Sequence, residues 1–100
     1  MQTATAKFEA FQALHQQDGA FVMPNAWDAG SAAILSAMGF KALATTSAGY
    51  AFSVAKRDSC AALSRDEILQ NAAAIAAATG LPVSGDLENG FGHDPEDCAE

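Results

Sequence analysis

The chain has 100 residues, half of them hydrophobic, with a formal net charge of −7 and a pI near 4.5. That acidity, with no basic cluster anywhere, excludes nucleic acid and anionic membrane as electrostatic partners. No apolar run approaches the length of a membrane span, Met1 to Lys7 lack the pattern of a signal peptide, and Cys60 and Cys98 have no disulfide or metal spacing, so the expected setting is the reducing cytoplasm.

Thr5 to Gln17 reads as an amphipathic helix. Phe8, Phe11 and Leu14 recur on one side, with Gln12, Gln16 and Gln17 on the other, and Asp18-Gly19 stops it. Phe21 to Met23 reads as a short apolar strand closed by Pro24. Asn25-Ala26-Trp27-Asp28 follows directly, where an α/β unit carries ligand-binding residues. Asp28 or Ser31 can cap the next helix, whose apolar face is Ala32, Leu35 and Met38, with Gly39 suited to its end.

Ala42 to Thr45 is a second strand, small and apolar as expected when both faces are covered. It opens into Thr46-Ser47-Ala48-Gly49-Tyr50, read as a loop. Its hydroxyls and N–H groups can hold an anion or simply satisfy the local backbone. A long connection from Ala51 to Ala62 contains Lys56-Arg57-Asp58, and connections this long are often functional. Ser64-Arg65-Asp66-Glu67 is a capping box. The helix it opens buries Ile68, Leu69, Ala72, Ile75 and Ala76 and ends at Gly80. Pro82 blocks its continuation, and Val83 to Gly85 is the third strand.

That strand ends in Asp86 and Glu88, two apart and so on one side of an extended backbone. Two adjacent carboxylates repel unless a cation lies between them, and Mg²⁺ is held by one or two carboxylates with several waters. Taken alone, the pair also fits a solvated acidic turn through Gly90 and Gly92. Asp94-Pro95-Glu96-Asp97 is a helix start.

The alternation of strand and helix predicts parallel strands with crossover helices. All three strand ends carry polar residues. A three-stranded parallel sheet leaves an open edge, and the last helix is too short to stand alone. The chain is therefore expected to be the N-terminal part of a longer α/β protein. An EF-hand is rejected because its glycine and closing acid are misplaced, and neither a dinucleotide fingerprint nor a phosphate-binding Gly-Lys-Ser/Thr loop occurs. His15 and His93 read as solvated, Cys60 as a bystander thiol, and Trp27 and Tyr50 as packing or pocket-lining residues.

Pro24-Asn25-Ala26-Trp27-Asp28-Ala29-Gly30-Ser31-Ala32, Gly39-Phe40-Lys41-Ala42, Ala44-Thr45-Thr46-Ser47-Ala48-Gly49, Arg57-Asp58 and Pro82 through Gly92 stand in an order that resembles the isocitrate lyase/phosphoenolpyruvate mutase superfamily. Within it, the text is most similar to the 2-methylisocitrate lyase/carboxyphosphonoenolpyruvate mutase-like group. The resemblance implies an N-terminal helix and the first three strands of a (β/α)₈ TIM barrel, with residues 1–100 forming part of a single domain. It implies Mg²⁺, or Mn²⁺ in its place, held by Asp86 directly and by Glu88 largely through water. Asp58 would support the metal waters and substrate, and Thr46, Ser47 and Ala48 would hold the substrate's anionic group. The implied activity is lyase or mutase chemistry on a C–C or P–C bond of a small 2-oxo or 2-hydroxy carboxylate or phosphonate, through a metal-stabilised enolate. The implied assembly is a homo-oligomer, a tetramer. The family's catalytic loop lies outside these residues, so this stretch alone is expected to be inactive. The rival reading is a non-catalytic barrel fragment that binds a small acid or a partner chain.

Overall fold

The computed structural model describes residues 3–59 and 62–99, so Cys60 lies outside the described residues. The chain forms α1 (Ala4–Gln16), β1 (Asn25–Ala26), α2 (Ala29–Ala37), β2 (Leu43–Thr45), α3 (Ser47–Ser53), α4 (Arg65–Ala77), β3 (Val83–Ser84) and α5 (Pro95–Ala99).

The strands pair in parallel in chain order, β1-β2-β3, with Asn25 opposite Ala44 and Ala44 opposite Ser84. Helices α2 and α4 pack against each other, so both crossovers lie on one face of the sheet. Right-handed crossovers between strands that always advance the same way give this singly wound layout.

Ala26, Ala32, Leu43 and Ile75 are fully buried between the sheet and these helices, with Leu35, Ala78, Leu81 and Val83 packed around them. A second cluster, Ala51, Leu63 and Ile68 with Tyr50 and Phe91, joins α3, the start of α4 and the turn after β3.

The helix starts follow their sequence signals. Asp28 caps α2 and Ser31 reciprocates, so both expected caps are used at once. Ser64 and Glu67 form the capping box of α4. Gly39 takes the left-handed turn after α2 (φ +96°). Helix α1 lies at the opposite end of the sheet from the acidic strand end. Its Lys7 Nζ donates to the carbonyls of Ala76 (2.8 Å) and Thr79 (3.0 Å) at the end of α4, where a cation offsets the negative helix terminus.

Leu69 on α4 and Met38 after α2, both expected on buried faces, are exposed, because only one turn-to-turn stripe of each helix meets the sheet. Two elements also differ from the sequence reading. The paired part of the first strand is Asn25–Ala26 rather than Phe21 to Met23. Pairing begins at the Pro24 carbonyl, which accepts from Ala44 N–H at 2.9 Å. Proline lacks a donor but loses nothing as an acceptor at a strand entrance. The stretch after Thr46 is a helix and not an open loop. Thr46 is its cap, and its hydroxyl accepts from Gly49 N–H.

Candidate functional site

The C-terminal ends of the three strands meet on one side of the sheet. The first end is committed to structure. The Asp28 carboxylate accepts from Ser31 N–H at 2.8 Å, and Asn25 Nδ2 donates across to the Thr45 carbonyl at 3.1 Å. Asn71 on α4 holds the Trp27 carbonyl at 2.9 Å.

The second and third ends are joined to each other. Asp86 Oδ2 accepts from both the N–H (3.3 Å) and the hydroxyl (3.1 Å) of Ser47. Its Oδ1 accepts from Glu88 N–H at 3.1 Å. Its own N–H donates to Thr45 Oγ1 at 2.7 Å. The chain then turns: Glu88 itself is left-handed (φ +53°), and Gly90 (φ +84°) and Phe91 (φ +62°) continue the turn.

Burial pushes the Asp86 carboxyl up, but the bonds from Glu88 N–H, Ser47 N–H and the Ser47 hydroxyl outweigh it. The net position is below the usual carboxylate range. Asp86 is therefore held as an anion at neutral pH.

Ser47 stands between two tight crevices, one with no room for a water molecule and the other with about 10 Å³. One is lined by Asp58, Ser59, Glu88 and Phe91 together with Ser47. The other is lined by Thr45, Thr46, Tyr50, Asn71 and Asp86, again with Ser47. The fold thus gathers Ser47, Asp58, Glu88, Thr46 and Asp86 around one helix start. Ala48 is half-buried in α3 and is not among the residues lining either cleft. His93 is exposed. His15 is exposed too, edge-on between Phe11 and Phe21.

Thr45 was not singled out by sequence reading. Its signal is a hydroxyl residue ending a strand that is otherwise apolar.

Among the described residues, no three His, Cys, Asp or Glu side chains converge closely enough to cage a metal. The donor set fits a water-rich hard cation instead. A carboxylate offers about four acceptor positions, and three on Asp86 are taken, which leaves one on Oδ1. Mg²⁺ needs only one or two carboxylates and keeps waters for the rest.

A singly wound parallel α/β unit with its acids and hydroxyls gathered at the strand C-termini is the architecture of a small-molecule enzyme site. The chain belongs to the phosphoenolpyruvate mutase/isocitrate lyase superfamily: residues 11–100 match the family described as phosphoenolpyruvate phosphomutase.

It is 57% identical to a provisionally assigned lyase/mutase from Burkholderia cenocepacia J2315, with a TM-score of 0.88 over 93% of this chain and 33% of that one. It is 31% identical to 2,3-dimethylmalate lyase, with a TM-score of 0.81 over 97% of this chain and 32% of the other. Over 91 residues it is 40% identical to an uncharacterized protein of Mycobacterium tuberculosis (strain ATCC 25618 / H37Rv), covering 91% of this chain and 34% of that protein. The chain thus spans about a third of the length of the relatives it matches. The superfamily includes lyases, mutases and hydrolases. No described helix is long and apolar enough to cross a membrane.

Proposed function

We propose that the chain is the first part of a (β/α)₈ barrel enzyme that uses Mg²⁺, or Mn²⁺, to cleave or form a C–C or P–C bond in a small 2-oxo or 2-hydroxy carboxylate. The observation that carries this reading is the junction of Asp86 with Ser47, which fixes an ionised carboxylate beside a hydroxyl and two clefts.

In this reading Asp86 holds the cation and Glu88 reaches it through water. Asp58 supports the metal waters and substrate; it lines the same closed crevice as Glu88 and Ser47. Thr46, Ser47 and Ala48 receive the anionic end of the substrate, for which the Ser47 N–H and hydroxyl exchange their bonds to Asp86. The Thr46 hydroxyl already accepts from Gly49 N–H, but its proton remains free to donate. The metal, when bound, supplies Lewis-acid stabilisation of the negative charge that develops as the bond breaks. An acidic chain needs such a cation, because its own field repels acid substrates. The acidity and the cysteine spacing also support a cytoplasmic enzyme, and the family resemblance a homo-oligomer.

The test is Mg²⁺-dependent turnover of 2-methylisocitrate, oxaloacetate and phosphonopyruvate by the full-length protein. Asp86→Ala should lower kcat/KM for the active substrate by about a hundredfold or more. An Asp86→Ala protein with undiminished turnover overturns the assignment. The 100-residue stretch alone should show no turnover, and measurable activity from it overturns that expectation.

A further inference from the structure

We propose that Thr45 is a positioning residue for the acidic strand end, its buried hydroxyl taking the place of a sheet carbonyl and so aiming Asp86 at Ser47. The proposal rests on the reading of Asp86 as a metal ligand.

The sheet register carries the argument. Leu43 lies opposite Val83, and Leu43 N–H donates to the Pro82 carbonyl at 3.0 Å. In a parallel ladder the same phase returns two residues later. Continued regularly, it would bring Asp86 N–H to the Thr45 carbonyl. That is not what happens. Asp86 N–H donates to Thr45 Oγ1 at 2.7 Å, while the Thr45 carbonyl accepts from Asn25 Nδ2. The ladder is ended by a side chain, and the strand leaves the sheet at residue 86.

The same two short segments are then joined a second time, by the Asp86 carboxylate and Ser47. Residue 86 is held at its backbone by Thr45 and at its side chain by Ser47. Thr45 is only 7% exposed, so solvent is a poor substitute for the hydroxyl. Groups that orient a metal ligand from behind typically change metal affinity 10–100-fold when removed.

The experiment is a Mn²⁺ titration of the complete protein, with free Mn²⁺ read by electron paramagnetic resonance. Wild type, Asp86→Ala, Thr45→Val and Thr45→Ser are compared. Thr45→Val keeps the shape and removes the acceptor, and should raise the Mn²⁺ Kd about 10–100-fold. Thr45→Ser keeps the hydroxyl and should recover most of that affinity.

A Thr45→Val protein that binds within twofold of wild type overturns the proposal while Asp86→Ala still loses binding. So does a Thr45→Ser protein as weak as Thr45→Val, because keeping the hydroxyl would then preserve nothing. Wild type that fails to bind Mn²⁺, or binds as well after Asp86→Ala, overturns the metal reading itself. Should Thr45→Val not fold, amide exchange in the wild type decides. The Asp86 amide should be protected, and exchange at the open-chain rate overturns the proposal.

Discussion

Glu88 is a non-glycine residue in the left-handed region (φ +53°), immediately beside the site. Such residues are strained and persist where the surroundings hold them, often at functional sites. Glycine adopts this backbone freely but has more freedom to lose on folding. Glu88→Gly should therefore leave stability unchanged or raise it by under about 1 kcal/mol, while removing the carboxylate and lowering activity. A urea midpoint that falls clearly in this variant would show that the left-handed turn is not strained. Gly49 is the opposite case. A Cβ there would lie 2.6 Å from Thr46 Cγ2 and 3.2 Å from Trp27 Cβ. Gly49→Ala should cost about 1–3 kcal/mol by overpacking, read as a lower urea midpoint. That two acids follow the third strand was legible in the sequence, but their placement on one side of an extended backbone was not borne out, because the strand ends at Ser84. The left-handed turn at Glu88 was not legible, because nothing local to a glutamate announces a positive φ.

Among the elements, α4 was read most directly, since Ser64 and Glu67 each satisfy an N–H that the helix start leaves open. The Glu67 carboxyl is held below its usual range chiefly by the backbone N–H of Ser64, then by the Ser64 hydroxyl. Asp86 is lowered as well. Both groups have folded values below their unfolded ones. Each therefore contributes stability above the unfolded value, about 4 for such carboxyls, and that contribution is lost as pH falls through the lower folded value. Ser64→Ala should cost about 1 kcal/mol at neutral pH. The difference in urea midpoint from wild type should shrink below pH 4, and a constant difference would count against this account. Helix α3 was missed because Ser47, Ala48 and Gly49 are small and a central glycine disfavours helix. Its start is secured by the Thr46 cap and by burial of Ala51, and only the cap is local in sequence. The first strand was placed too early because Phe21, Val22 and Met23 drew the assignment. Val22 is in fact well exposed, and the pairing belongs to the carbonyl of Pro24 and the residues after it.

Over the whole molecule, the parallel sheet and its crossover helices were legible from the alternation of apolar runs, caps and glycines. Which polar strand ends would be free for chemistry was not. Asn25 and Asp28 look like site residues in sequence, yet they are spent on a cross-strand bond and a helix cap. That choice depends on distances between segments far apart in the chain. The radius of gyration, 14.1 Å, exceeds the roughly 13 Å of a compact 100-residue domain. Phe8, Ile34, Met38 and Phe52 are all well exposed. The 100-residue chain studied by itself should then self-associate, with a sedimentation mass that rises with concentration. A constant mass of 10.3 kDa across the micromolar range would contradict this.

Each strand of the sheet lies beside the one made just before it. On the ribosome, β2 can dock on β1 and β3 on β2 as each emerges. Synthesis at about 5–20 residues per second gives each docking step seconds to complete, whereas the pairing itself needs far less. The sheet can thus assemble in pace with translation, growing at one edge while the outer edge of β1 stays bare.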